Sequence, residues 1–238
     1  MKFGVVVFPG SNCDRDVYHV LKNVAKQDTV MLWHQQESLS GFSTGDCIVL
    51  PGGFSYGDYL RSGAIARFSP IMKAVTDFAN NGGYVFGICN GFQVLCEAGL
   101  LPGALLLNDH QKFMCKNVYI KPAHHKHPIT KNLEHKAYKI PVAHAEGRYY
   151  APENIISDLH LNKQILFRYC SAHGELGEAH NPNGSLEHIA GICNAEGNVF
   201  GMMPHPERAS ELQLGNADGL QFFNSLIVNA TSADRVLN

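Results

Sequence analysis

Apolar positions along the first hundred or so residues switch repeatedly between a strand-like run and a helix-like spacing. Lys2 to Phe8 is almost continuously apolar, as expected of a strand buried on both faces. Val17, Val20, Leu21 and Val24 then recur at the spacing of one helix face, with Ser11 or Asp14 placed to cap that helix. Two further strand-like runs follow, Thr29 to Trp33 and Cys47 to Leu50. Ser69-Pro70 predicts the start of a second helix, with serine as cap and proline at its first position; Met72, Val75, Phe78 and Ala79 form its apolar face and Gly82-Gly83 stops it. Tyr84 to Ile88 reads as a fourth strand, leading into the helix-forming stretch Phe92 to Ala98. Strands alternating with helices predict an α/β fold with a mostly parallel central sheet flanked by helices.

After Gly103 the pattern changes. Val118 to Ile120, Lys139 to Ala143, Ile165 to Tyr169, Ile189 to Cys193 and Val199 to Met203 are strand-like pieces separated by turn clusters such as Asn181-Pro182-Asn183-Gly184. This half reads as mostly β, with additional antiparallel strands. Ala195-Glu196-Gly197-Asn198 predicts a hairpin between the last two pieces, and Leu220, Phe223 and Ile227 predict a closing helix over residues 217–229. There is no repeat or linker-like segment, so 238 residues predict one domain.

Composition narrows the function. A hydrophobic fraction of 45% is that of a globular protein, and a net charge of -2 leaves no basic footprint for nucleic acid or an anionic membrane. No apolar stretch is long enough to span a bilayer, and the first ten residues are too short and wrongly flanked for a signal peptide, so a cytoplasmic location is expected. Seven cysteines, an odd number without a Cys-x-x-Cys pair, predict reduced thiols rather than disulfides or a zinc site. His124, His125 and His127 lie in a loop-like stretch and read as solvated; no metal is expected.

One of those thiols sits where chemistry is done. Gly87-Ile88-Cys89-Asn90-Gly91 joins the fourth strand to a helix, the setting of a nucleophile elbow in which flanking glycines permit a strained turn and the residue between them is thrust outward. A cysteine at a helix N-terminus is favoured as the thiolate, the attacking form. Such a nucleophile needs a base and a group to orient that base. Two His-x-Glu pairs qualify, His205 with Glu207 and His144 with Glu146, since residues two apart in an extended segment project to one side. Flanking prolines stiffen His205 at a strand exit, which favours it, but spacing alone does not decide. Pro51-Gly52-Gly53-Phe54 offers an oxyanion hole from the Gly53 or Phe54 N–H together with the Asn90 N–H. A phosphate-binding loop is the rival reading of that stretch, but its Gly-Lys-Ser/Thr ending is missing.

The elbow with Gln93, the Pro51-Gly52-Gly53 loop and His205-Pro206-Glu207 together resemble the class I (triad) glutamine amidotransferases. Phe8-Pro9-Gly10-Ser11-Asn12-Cys13-Asp14, Gly53 to Asp58, Asn181 to Ser185 and Gly201 to Arg208 resemble, more narrowly, the glutaminase subunits of phosphoribosylformylglycinamidine synthase. Pro141 to Arg148 is also similar to that family, except that Ala145 stands where glycine is usual. The resemblance implies a flavodoxin-like class I glutaminase fold and a catalytic triad of Cys89, His205 and Glu207. It also implies a glutamine contact at Gln93, with His144 and Glu146 on a loop beside the site. It further implies hydrolysis of L-glutamine through a Cys89 thioester, with ammonia passed to a large synthetase subunit that acts alongside a small accessory subunit. No cofactor is expected on this chain, with ATP and magnesium belonging to the synthetase. A glutaminase serving another synthetase and a non-catalytic scaffold of the same fold are the alternatives.

Overall fold

A computed structural model describes residues 1–233. In chain order the elements are β1 (Lys2–Val7), α1 (Asp14–His19), β2 (Asp28–Trp33), β3 (Cys47–Leu50), α2 (Pro70–Asn80), β4 (Tyr84–Ile88), α3 (Asn90–Glu97), β5 (Ala104–Leu106), β6 (Met114–Pro122), β7 (Tyr138–His144), β8 (Arg148–Tyr150), α4 (Glu153–Leu161), β9 (Ile165–Cys170), β10 (Ile189–Cys193), β11 (Val199–Met202) and α5 (Leu220–Ala233). Nine strands form one sheet in the order β2-β1-β3-β4-β11-β10-β9-β6-β7. From β2 to β11 the neighbours are parallel, in the order of a flavodoxin-like doubly wound sheet. From β11 to β7 every neighbouring pair is antiparallel, so the second half of the chain extends the same sheet instead of forming a separate one. The predicted β10–β11 hairpin is present, its turn closed by Asn194 N–H donating to the Val199 carbonyl.

This topology decides where chemistry can occur. β1, β3, β4, β11 and, two and four reversals further on, β9 and β7 all run in one direction, so their C-terminal ends share an edge. Ligands of doubly wound sheets bind outside that edge. Phe3, Val5 and Val6 of β1, all of β3, and Val85, Phe86 and Ile88 of β4 are buried, and Phe86 stacks on Phe200 at 4.8 Å across the parallel seam. No helix among the described residues is long and apolar enough to cross a membrane.

Several expectations need correction. Neither Ser11 nor Asp14 caps α1; Cys13 occupies the cap position without a side-chain bond, and Asp14 Oδ1 accepts the Arg15 N–H inside the first turn. The helix then widens into a π-turn over Val20–Val24, which leaves Val24 only half-buried. Ser69 does precede α2, but its hydroxyl bonds Tyr56 Oη at 2.8 Å, because a tertiary partner displaced the local one. The closing helix begins three residues later than its pattern suggests, since Ala217 to Gly219 form a turn pressed against residue 206; a Cβ on Gly219 would lie 2.0 Å from the Pro206 carbonyl oxygen. α4 and the short β5–β8 pair leave little pattern in the sequence: α4 rests on only Ile155, Ile156 and Leu159, and each strand of the pair is three residues long.

Candidate active site

Cys89 stands between β4 and α3 with φ 49° and ψ -104°, a left-handed conformation held by its N–H donating to the Met202 carbonyl at 2.8 Å. The two glycines beside it serve close approach. A Cβ on Gly91 would come within 1.9 Å of the Leu50 carbonyl oxygen, and one on Gly87 within 2.6 Å of Leu95 Cδ1 and 2.7 Å of the Gly91 backbone. Only glycine lets α3 lie directly on β3 and so turn the cysteine outward. Asn90 is the first residue of α3, so its N–H lies outside the helix ladder.

His205 follows β11, and its N–H donates to the Pro141 carbonyl, which ties it to β7. Its Nδ1 donates to Glu207 Oε1 at 2.6 Å, with both side chains buried. Its Nε2 has no hydrogen-bond partner among the described residues. Burial opposes charging the imidazole, but the negative charges of Glu207 and then Cys89 override it and hold the His205 pKa well above its ordinary value. Gly52 makes room for this ring, since a Cβ there would stand 2.6 Å from His205 Cε1.

A second thiol, absent from the sequence-based candidates, lies against the same imidazole. Cys13, His205 and Glu207 bring donor atoms within 4.8 Å of one another. Arg208 Nη2 donates to Cys13 Sγ at 3.1 Å, and that guanidinium opposes a cation in the group. Burial pushes the Cys13 thiol up, against the pull of His205 and Arg208.

The Pro51 to Asp58 loop is braced by the segment after β1. Tyr56 N–H donates to the Pro9 carbonyl at 2.6 Å, Cys13 N–H to the Gly52 carbonyl at 3.4 Å, and Phe54 N–H to the Gly10 carbonyl at 3.3 Å. Of the two alternatives for the oxyanion hole, Phe54 therefore has its N–H engaged. Gly53 has no hydrogen-bond partner for its N–H among the described residues. Its φ of +123° requires glycine, as a Cβ would lie 2.5 Å from the Asn12 nitrogen.

A cleft of about 200 Å³ opens over Cys89, lined by Gly53, Phe54, Asp58, Ser62, Gln93, Ala143, His144, Ala145 and Glu146. Gln93 lines it but has its amide engaged, Nε2 donating to the Glu146 carbonyl and Oε1 accepting from Asn90 Nδ2. Asp58 Oδ2 accepts from Ser62 Oγ at 3.2 Å, and Glu146 Oε2 accepts the Ser62 N–H at 3.1 Å, so one serine holds two carboxylates on the cleft wall. Burial raises the Asp58 pKa, Ser62 and Asn90 pull it down, and Glu146 adds to the rise. The Asn181 to Ser185 motif braces the chain next to Glu146: buried Asn183 donates to the Gly147 carbonyl at 2.7 Å and accepts from Ser185 Oγ at 2.9 Å. The role of Asp58 and Cys13 left no periodic or motif-level signal beyond their place in the Gly53 to Asp58 and Phe8 to Asp14 runs.

His124, His125 and His127 are taken up elsewhere. They hydrogen-bond the carbonyls of Lys163, Thr130 and Gly197 respectively. His127 is buried, not solvated as expected, and burial pushes its pKa down to about 4. A larger surface hollow of about 730 Å³ beneath the β10–β11 turn carries none of the nucleophile-and-base pairs.

Chemically the site presents a thiol nucleophile on a cleft, a buried imidazole–carboxylate pair beside that thiol and, among the described residues, an unpartnered backbone N–H at Gly53, the apparatus of acyl transfer. Residues 1–219 match the model of the CobB/CobQ-like glutamine amidotransferase domain. The chain is 56% identical over 228 residues to the phosphoribosylformylglycinamidine synthase subunit PurQ of Moorella thermoacetica, covering 95% of each chain, and 53% identical over 227 residues to that of Salinibacter ruber, again covering 95% of each. Among solved structures it is similar to PurLQS from Thermotoga maritima, with a TM-score of 0.83, 41% identity, and coverage of 96% of this chain and 98% of that one. The chain belongs to the CobB/CobQ-like glutamine amidotransferase family and, within it, to the phosphoribosylformylglycinamidine synthase subunits PurQ.

Proposed function

We propose that this chain is the glutaminase subunit of phosphoribosylformylglycinamidine synthase in purine biosynthesis, a single cytoplasmic amidotransferase domain that hydrolyses L-glutamine and supplies ammonia. The observation that carries the reading is the buried 2.6 Å His205–Glu207 bond whose imidazole lies against Cys89, while Cys89 itself opens on a cleft of about 200 Å³.

Cys89 Sγ attacks the side-chain carboxamide carbon, and the oxyanion is received by the Gly53 and Asn90 N–H groups. Charged His205 gives its Nε2 proton to the amide nitrogen, the C–N bond breaks, and ammonia leaves a glutamyl thioester on Cys89. His205, now neutral, takes a proton from the water that hydrolyses the thioester, releasing glutamate and restoring the ion pair. Glu207 keeps the imidazole in the required tautomer and stabilises its charged state. Gln93 fixes the Glu146 carbonyl and Asn90, shaping the cleft that receives glutamine. Asp58 and Glu146, two carboxylates on one serine, face the α-ammonium group of the substrate.

Ammonia goes to the large synthetase chain, with the small accessory chain as the third component. ATP and magnesium act on the synthetase, where formylglycinamide ribonucleotide becomes its amidine; no cofactor is assigned to this chain. Glutamate release by wild type and by Cys89→Ala, measured with the synthetase present, tests the reading. Undiminished release by the variant would sink it.

A further inference from the structure

His144 lies at the end of β7, 3% exposed, and takes no part in the triad. Its tautomer is fixed by its surroundings. Asn108 Nδ2 donates to the carbonyls of Lys112 and His144, both at 3.0 Å, so the remaining amide atom of Asn108 is the oxygen. That oxygen accepts the Gly147 N–H at 3.1 Å and lies 3.1 Å from His144 Nδ1, which therefore carries a proton and donates. Burial, with His205 nearby, pushes the His144 pKa down to about 4, so the ring is neutral at working pH and Nε2 bears a lone pair. Nε2 is buried and has no partner among the described residues, although the ring lines the cleft over Cys89. Gly147 packs on the ring so closely that any Cβ there would lie 2.2 Å from His144 Cε1, which holds the imidazole in place. A buried, oriented acceptor with nothing to accept is uncommon, and in a substrate cleft it marks a donor brought by the substrate.

We infer that His144 reads the amide of the substrate: its Nε2 accepts an N–H of the carboxamide nitrogen and then of the ammonia that leaves. The inference rests on glutamine hydrolysis at Cys89. As the Sγ–C bond forms, the carboxamide nitrogen becomes tetrahedral and its lone pair must face His205, which protonates it while the C–N bond breaks. A hydrogen bond from that nitrogen to His144 sets the rotation. His144 gains and loses no proton. The same lone pair disfavours the product, since glutamate sets a carboxylate oxygen where the amide nitrogen was.

The test compares kcat/KM for glutamine and for glutamate γ-methyl ester, whose leaving oxygen has no N–H, in the complex with the synthetase. His144→Phe is expected to lower the amide-to-ester ratio about tenfold; a ratio within twofold of wild type overturns the inference, because a general loss of site structure lowers both substrates together. If wild type cleaves neither substrate, the functional reading fails instead. A second measurement leaves His144 intact. In Cys89→Ala with ¹⁵N-labelled histidine, the unprotonated Nε2 resonance of His144 is expected to move on adding glutamine and to stay with the methyl ester, and a resonance that ignores glutamine also overturns the inference.

Discussion

His205 Nδ1 and Glu207 Oε1 meet at 2.6 Å although each residue is only 1% exposed, so an imidazolium and a carboxylate face one another almost without water. A buried pair of this kind is costly to break by removing one partner, since the other charge is left alone. The chain accepts that cost where the reaction needs a charged imidazole.

Glu207→Gln is expected to lower kcat about a thousandfold or more with glutamine, because the imidazole loses the group that fixes its tautomer and charge. It also carries a stability signature. His205 is held above its unfolded pKa of about 6.5, so its contribution is fully present below that pH and is lost as pH rises through the folded value. Urea midpoints of the wild-type chain should fall as pH is raised from about 6.5 into the alkaline range, and the Glu207→Gln profile should be flatter there. Parallel profiles would contradict the assignment of Glu207 as the main support of the charge.

The two thiols beside His205 should respond differently to an alkylating glutamine analogue. Cys89 lines the cleft, whereas Cys13 lies behind His205 under Arg208, and burial raises its pKa so that it stays a thiol. Intact mass is expected to show one label on wild type and on Cys13→Ala, and none on Cys89→Ala. Label retained by Cys89→Ala would place the reactive thiol elsewhere.

The parallel half of the fold and its strand-to-helix elbow were legible because buried strands, period-3.6 helices and the Gly87 and Gly91 signals are local. What the sequence left open is tertiary. The two His-x-Glu pairs are separated by tertiary partners and not by their spacing: Glu207 bonds its own His205, whereas His144, which also lines the cleft, is held by Asn108 while Glu146 turns to the Ser62 N–H. Ser69 was readable as a cap until Tyr56 took its hydroxyl. Phe54 was an even choice with Gly53 until the Gly10 carbonyl engaged its N–H. The His124 to His127 stretch looked solvated because nothing local announces that Gly197, seventy positions away, receives His127.

Gly91 in the elbow and Gly82 in the turn after α2 should rank by what a methyl group would meet. Gly91→Ala places a Cβ 1.9 Å from the Leu50 backbone oxygen, and neither α3 nor β3 can retreat without opening the core. A loss of about 3 kcal/mol is expected, with loss of activity through a displaced Cys89. Gly82→Ala, with nothing within 4 Å but φ +89°, should cost about 1 kcal/mol by backbone strain alone and leave turnover intact. Urea denaturation of both variants checks the order.

Asp58 ties the substrate cleft to stability. Burial holds its carboxyl above the ordinary value, Ser62 and Asn90 only partly offset this, and Glu146 reinforces it from across Ser62. Because the folded pKa exceeds the unfolded one, ionising Asp58 costs stability, with the cost appearing above the unfolded pKa of about 3.9 and complete above the folded value. Asp58→Asn removes a charge and keeps an amide that can still bond Ser62 and Asn90. The variant should therefore be more stable than wild type at pH 7, with the difference shrinking toward pH 4. If the carboxylate pair exists to hold the ammonium of glutamine, the gain in stability is accompanied by a KM for glutamine raised about tenfold, with kcat changing less. A more stable variant with an unchanged KM would assign the ammonium to another group, and a less stable one would show that the carboxylate supports the loop in its own right.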